Sequence, residues 1–483
     1  MNIGIRRVGA AMMILFLGLA AQLTYLQVIH SSTLANDPRN ARKFLRDISQ
    51  PRGEIVTSDG FVLAKSVPSD DELKYQRVYT PGTAKLFAQV VGFQSIQFGS
   101  VGVEAKYSSD LAGRNLGLSH LLSGRQQTGT VVLTMSAKAQ LAAAAGLADR
   151  RGSVVVLDVK TGGVVAMYSN PTFDPTPLAS HNAKTAQAAR QFLLALPDNP
   201  MLARAWRELY PPGSTFKTLT ASTALSDKVD VNKRFPFLKE LPLPLTTNTL
   251  KNFGDERCGG SLEDGFVVSC NTTFGQVGLD LGEQLATGIQ RFGVNTGAPP
   301  SDLDPDIVRS IGPAPGSFHA NQPLFAQAAI GQGPVAVTPL EMALVAESVA
   351  TGGVILQPHV AARIEDQDGN TVRTIGTTAW RRAMDPATAA TMKQYMLQVV
   401  QRGTGTAAQI PGIEVAGKTG TAETAPGENP HAWFIAFAPA DHPLYAIAVL
   451  VEHGGTDGAN AETTGGRVAA PIAASVLRTL LGT

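Results

Sequence analysis

A chain of 483 residues in which 40 Lys and Arg stand against 39 Asp and Glu has a formal net charge of +1, so it lacks the basic excess that a nucleic-acid partner requires. The length allows two or more domains with a substantial core, and 44% hydrophobic residues is ordinary for a globular protein. Eight histidines without metal-ligand spacing, and no His-Glu-x-x-His, argue against a zinc enzyme, and no metal or cofactor is expected.

The N-terminus is the exception to this even composition. Val8 to Ile29 is apolar over 22 residues, broken only by Gln22, Thr24 and Gln27, which is enough to span a bilayer. Arg6 and Arg7 precede it, so the positive-inside rule leaves residues 1–7 as a cytoplasmic tail, 8–29 as an anchor and the rest outside. A cleaved signal peptide is the competing reading, because Gly18-Leu19-Ala20 resembles a small-x-small cleavage site, but the hydrophobicity continues past it. Ser31 to Asp47 is polar and basic, a linker or a first helix beyond the membrane.

Arg52 to Ala64 reads as strand, Asp59-Gly60 turn, strand. The spacing of Tyr107, Leu111 and Gly113 suggests a short helix with a glycine cap. No nucleophile with a neighbouring base occurs in residues 30–135, which read as a pedestal domain. Thr130–Thr134 is strand-like, and Ser136 is placed to cap an alanine-rich helix running to Leu147. Ser153 to Tyr168 then forms a hairpin of apolar runs, expected as central strands of a sheet. A Pro- and Asn-rich loop with one helix near Ala183–Leu196 leads to Ser214. From Asn271 to Lys418 the pattern is mostly helical, with glycine breaks at Gly312–Gly316 and Gly331-Gln332-Gly333 and a hairpin near Asp368. Strands at Trp433–Pro439 and Leu444–Glu452 and a helix from Val468 to Leu481 close the chain. Strands on both sides of a helical insert imply an α+β domain over 136–483: an antiparallel sheet flanked by helices, with a helical subdomain.

The chemistry concentrates in three segments. Pro212-Gly213-Ser214-Thr215-Phe216-Lys217 places a serine at a helix N-terminus with a lysine one turn on, and a lysine kept neutral by burial or by a second cation can take the proton of such a hydroxyl. Alone this is weak, since a chain of this size holds about one Ser-x-x-Lys by chance; an N-capping serine with a surface lysine has the same text. Ser269-Cys270-Asn271 and Lys418-Thr419-Gly420-Thr421 follow in order. Ser-x-x-Lys, Ser-x-Asn and Lys-Thr-Gly in that sequence mark penicillin-recognising serine enzymes. Ser180-His181-Asn182 and Lys160-Thr161-Gly162 copy the second and third motifs but precede Ser214, and the latter reads as a hairpin turn. Cys258 and Cys270 are the only cysteines. A bridge between them would pin the Ser-x-Asn loop; two separate small core residues is the other reading, and the spacing decides neither.

With these motifs, Arg52-Gly53, Asp59-Gly60 and Leu63-Ala64, Gly102-Val103-Glu104 with Tyr107 and Leu111, Ala166-Met167, Gly331-Gln332-Gly333 with Thr338-Pro339-Leu340, and Trp433-Phe434 make the chain resemble the class B penicillin-binding proteins nearly end to end. These are membrane-anchored D,D-transpeptidases that cross-link peptidoglycan; the short N-terminal region is most similar to the division-associated type of actinobacteria. The resemblance implies that Ser214 attacks the D-Ala-D-Ala carbonyl of a stem peptide with Lys217 as base. It implies that Ser269 relays the proton, that Asn271 binds the peptide amide and holds Lys217, and that Lys418, Thr419, Gly420 and Thr421 form the strand that binds the substrate, with Lys418, Thr419 and Thr421 on its carboxylate. Backbone N–H groups of Ser214 and Thr421 would form the oxyanion hole. It further implies acylation by β-lactams, divisome partners, and a catalytic domain on the outer face of the cell membrane. A β-lactamase needs a base for deacylation, which class A enzymes place in a Glu-x-x-Leu-Asn segment. The nearest text here, Glu341 to Leu344, continues with Val345. A D,D-carboxypeptidase is the alternative enzyme, and a non-enzymatic division scaffold or β-lactam sensor the alternative of another class.

Overall fold

The computed structural model of the chain describes residues 3–26, 49–113, 128–229, 232–425, 427–454 and 464–483. The segment Ser31–Asp47 and the last residues expected in the anchor, Gln27–Ile29, lie outside the described residues. The chain forms two compact units, one comprising the residues up to Pro51 with Val67–Gln76, the other Arg52–Ser66 and Arg77 onward. In the first, helix α1 (Ile3–Thr24) has 22 residues, a mean hydropathy of 1.7 and no buried side chain. Its length of about 33 Å at 1.5 Å per residue covers the hydrocarbon core of a bilayer.

Further along the chain come β1 (Ile55–Val56) and β2 (Val62–Pro68). Their turn is closed by Phe61 N–H donating to Thr57 Oγ1, and the Asp59 carboxylate accepts from Ala137 N–H at 2.9 Å. The expected hairpin is therefore also a cap for the helix that follows. After β3 (Tyr75–Tyr79) and β4 (Thr130–Leu133) comes α2 (Ala137–Leu147), whose N-cap Ser136 accepts from Ala139 N–H as expected. Strands β5 (Gly152–Asp158) and β6 (Val164–Asn170) turn at Lys160-Thr161-Gly162, where Asp158 Oδ1 accepts from the N–H groups of Lys160 and Thr161.

The helical insert and its flanks then follow. A 3₁₀ turn at Gly213–Phe216 runs directly into α3 (Lys217–Ser226). Next are β7 (Phe235–Leu238), β8 (Cys258–Gly260), α4 (Leu262–Val267), α5 (Asn271–Leu281) and α6 (Pro339–Ala350). The hairpin β9 (Ala361–Glu365) and β10 (Thr371–Thr374) precedes α7 (Pro386–Arg402). Strands β11 (Ala416–Ala422), β12 (His431–Ala438) and β13 (Tyr445–Val451), and finally α8 (Gly465–Leu481), complete the chain.

Strands β11-β12-β13-β5-β6 make one antiparallel sheet in that order. Alternation along the strands sends Val155, Leu157, Trp433 and Ile435 into one core and Val154, Val156, Phe434 and Val449 into a second. The first core contains the apolar residues of α6, the second those of α2 and α8. Burial on both faces explains why these strands read as unbroken apolar runs. Of the hairpin expected to be central, β5 lies inside the sheet and β6 at its edge. The other edge is β11, and that free edge faces the serine.

A six-stranded sheet has the order β10-β9-β4-β1-β2-β3. Its β9 and β10 come from far along the chain: β9 pairs antiparallel with β4, which pairs parallel with β1. Residues of the C-terminal half thus complete the sheet of the N-terminal region.

Candidate active site

Gly213 occupies φ +53°, a conformation that costs glycine little, and a side chain there would strike the Thr421 carbonyl at 2.4 Å. Its N–H donates to Gly331 O at 3.0 Å, and a Cβ on Gly331 would lie 2.1 Å from Gly213 O. The Gly331-Gln332-Gly333 turn is therefore a brace for the serine loop. Trp433 Nε1 holds the same loop from the sheet, donating to Pro211 O at 3.0 Å. Ser214 is half-buried at the start of the 3₁₀ turn.

Lys217 opens α3 with no exposed surface. Its Nζ donates to Ser269 O at 2.7 Å, Asn271 Oδ1 at 2.7 Å and Ser269 Oγ at 3.3 Å. Lys418, equally buried in β11, donates to Ser269 Oγ at 2.9 Å and to Thr419 O at 3.0 Å. Both ammonium groups also face aromatic rings, Lys217 over Phe274 at 5.6 Å and Lys418 over Phe266 at 5.5 Å. Burial drives the pKa of Lys217 well below the ordinary lysine value, and the Lys418 charge lowers it further. Burial also brings Lys418 down to about 7. A lysine pair of this kind holds a neutral amine at physiological pH.

Ser269 follows α4 and takes φ +60°, a left-handed conformation that costs a residue with a Cβ about 1 kcal/mol or more. That turn aims its hydroxyl at Lys418 while its carbonyl meets Lys217. Three supports hold the turn. Cys270 N–H donates to Gly265 O at 2.7 Å, and Cys270 is bridged to Cys258 of β8. Asn252 bonds Leu238 O and Glu256 O through Nδ2 and accepts Thr272 N–H at 2.9 Å. Asn271 Nδ2 donates to Lys251 O at 2.9 Å, which uses one of its two amide hydrogens.

The structure brings the three motifs to one place and leaves both copies elsewhere. Asn182 of the early Ser-x-Asn caps the helix Ala183–Ala195, and the early Lys-Thr-Gly is the β5–β6 turn. Among the described residues Ser214 Oγ has no hydrogen-bond partner, and Lys217 is held by the Ser269–Asn271 segment. On β11, the Thr419 hydroxyl meets Thr404 Oγ1 at 2.6 Å, and Thr421 Oγ1 accepts from Gly465 N–H, at the start of α8, at 3.4 Å. A Cβ at Gly420 would lie 2.8 Å from Pro212 O and 3.1 Å from Thr215 N, so only glycine lets the serine turn approach this edge. Asn252, Thr404 and Gly465 have no signature at the level of sequence. Gly331 has one in its Gly-x-Gly text, without the function the structure gives it.

Residues 152–478 match the penicillin-binding protein transpeptidase domain, and residues 52–132 match the penicillin-binding protein A dimerisation domain. The chain belongs to the penicillin-binding protein transpeptidases. It is 38% identical to the peptidoglycan D,D-transpeptidase PbpA of Mycolicibacterium smegmatis, over 100% of this chain and 99% of that protein. The corresponding protein of Mycobacterium tuberculosis is 36% identical over the same shares. The structure of penicillin-binding protein A from M. tuberculosis as a ceftriaxone acyl-enzyme superimposes with a TM-score of 0.82 at 34% identity, covering 90% of this chain and all of that one. Pseudomonas aeruginosa PBP2 gives 0.74 at 28% identity, covering 89% of this chain and 96% of that one.

Proposed function

We propose that the chain is a peptidoglycan D,D-transpeptidase that cross-links stem peptides through an acyl-enzyme on Ser214 and is acylated there by β-lactams. The observation that carries this is the convergence of Lys217 and Lys418 on Ser269 Oγ, with both amines buried. A neutral Lys217 has two hydrogens, matched by its two acceptors at 2.7 Å, and keeps a lone pair to take the Ser214 proton. The Ser214 oxygen then bonds to the penultimate D-alanine carbonyl. Collapse of the tetrahedral intermediate expels the terminal D-alanine, whose nitrogen receives a proton through the Ser269 hydroxyl. Attack by an acceptor amine on the ester releases Ser214 and forms the cross-link.

Thr421 O faces Gly213. In an extended strand a residue's N–H and C=O share one side, so the Thr421 N–H points to the same edge, next to Ser214, where an oxyanion would form. Lys418, with Thr419 and Thr421, is the carboxylate site. Among the described residues no carboxylate is hydrogen-bonded to Ser214, Lys217, Ser269 or Lys418. Glu341, the nearest textual candidate for a deacylating base, is buried on α6 under Gly293 and Trp380. Transfer to an amine is therefore favoured over transfer to water. The M. tuberculosis relative carries ceftriaxone, imipenem and penicillin G as acyl-enzymes, which supports the same for this chain. The residue boundaries 1–7, 8–29, 30–135 and 136–483, the cytoplasmic N-terminus, the septal role and the docking of division proteins on the N-terminal domain rest on the charge pattern and the resemblance.

Purified protein is expected to be labelled covalently by a fluorescent penicillin, with the Ser214→Ala protein unlabelled. Retained labelling in that variant would refute the assignment. Mass spectrometry of products from a stem-peptide donor with and without acceptor amine should show a cross-linked dimer. Free D-alanine alone would mark a carboxypeptidase, and no turnover a scaffold.

A further inference from the structure

Helix α7 ends in Gly403-Thr404-Gly405, a turn outside the three motifs that touches Thr419 of the third and the helix leading to the second. Thr404 N–H donates to Val267 O at 3.4 Å, at the end of the helix that delivers Ser269, and the N–H groups of Gly403 and Gly405 both return to Val399 O. Two glycines let the backbones meet at this junction. A Cβ on Gly403 would lie 2.5 Å from Val267 O, and one on Gly466, in the first turn of α8, 2.4 Å from Thr404 O. The side chain of Thr404, so fixed, meets the Thr419 hydroxyl at 2.6 Å, the short end of the range for two hydroxyls.

We propose that Thr404 is a positioning residue for carboxylate recognition: it donates its hydrogen to Thr419 Oγ1 and so commits the Thr419 hydrogen to the substrate's terminal carboxylate. This rests on the reading given above. Each hydroxyl has one hydrogen, so within the pair one oxygen donates and the other accepts. Thr404 is exposed, so water can supply the second hydrogen bond of its hydroxyl, whereas Thr419 is buried with Thr404 as its hydroxyl's partner among the described residues. Only the arrangement in which Thr419 accepts from Thr404 leaves Thr419 a hydrogen for an anion. The N-terminus of α8, whose Gly465 N–H reaches Thr421 Oγ1, adds its positive end beside the same strand.

The test compares benzylpenicillin, which carries the carboxylate, with its methyl ester, which does not, on wild type, T404V, T404A and T404S. Second-order acylation rates are read by competition against fluorescent penicillin, with a thermal melt of each protein. T404V and T404A are expected to react about tenfold more slowly with the acid and within about twofold of wild type with the ester, and T404S to recover most of the loss. Should T404V fail to fold, the acid-to-ester ratio is read on T404A. An unchanged acid rate, or equal slowing of acid and ester, overturns this role while leaving Ser214 acylation standing. A wild-type protein that neither lactam acylates overturns both readings.

Discussion

Two lysines with no exposed surface lie beside one serine hydroxyl, and their shared environment decides which of them carries charge. Burial lowers both, and the charge of Lys418 lowers Lys217 further. Protons come off such a pair in steps that belong to both groups. Acylation should therefore rise with pH as Lys217 loses its proton, and fall as Lys418, at about 7, loses the charge that holds a carboxylate. Replacing Lys418 by Met removes the repulsion, so Lys217 should hold its proton to higher pH. The acid limb of the acylation profile then moves to higher pH, and the rate at neutral pH drops by roughly tenfold or more. A pH series of penicillin acylation on the Lys418→Met protein checks this; an acid limb that stays in place would show that burial alone keeps Lys217 neutral.

Helix α6 is where an element-level prediction arises, because it is apolar on every side and yet carries Glu347, fully buried. Glu347 Oε2 accepts from Leu356 N–H at 3.1 Å while Oε1 has no partner, and burial pushes the carboxyl up to about 8. The folded pKa thus exceeds the ordinary value of 4.5, so the fold binds more protons than the unfolded chain between those limits. Stability is full below about 4.5 and falls as pH rises toward about 8, where the carboxyl ionises inside the core. Glu347→Gln keeps an acceptor for Leu356 and cannot ionise. It should raise stability by roughly 4 kcal/mol at pH 8 and by almost nothing near pH 4.5. Melting curves at the two pH values decide; a gain of the same size at both would point to packing rather than ionisation.

The elements were the most legible part of the sequence. Ser136 as a cap, Asp59-Gly60 as a turn and the strands at Trp433 and Leu444 are all local signals, and all appear at or near their expected places. The order of the three motifs was enough to separate the copies that converge from Ser180-His181-Asn182 and Lys160-Thr161-Gly162. What stayed illegible joins residues far apart. Lys418 meets Ser269 across 149 positions, and Thr404 makes sense only once Thr419 lies beside it. Whether Cys258 and Cys270 meet depended on the fold of the β7–β8 excursion, which brings Cys258 opposite Leu238 and next to the start of α5.

At the scale of the second unit, the N-terminal region and the transpeptidase region share structure that the linear order of residues conceals. Strand β9 takes its place between β4 and β10, so the N-terminal sheet is one strand pair larger than residues 30–135 can supply. Side chains cross the same boundary. Tyr107 donates to Asp302 Oδ2 at 2.6 Å, the same carboxylate accepts from Val360 and Ala361 N–H, and Arg373 pairs with Asp110 at 2.9 Å. Gln89 donates to Pro200 O at 3.0 Å in the loop leading to the serine. Cutting the chain at 135 would strip β9 of β4, leave an unpaired strand edge and expose Val360, Ala361 and Ile364, all of them buried in the intact chain. The fragment 136–483 is therefore expected to aggregate or to melt without a cooperative transition, and to bind fluorescent penicillin at a small fraction of the level of residues 49–483. Size-exclusion chromatography, calorimetry and labelling of the two fragments side by side make the comparison. A monomeric, cooperatively folded 136–483 labelled at full rate would mean that the shared sheet contributes little to the fold of the site, and that the N-terminal strands are an attachment rather than part of the catalytic body.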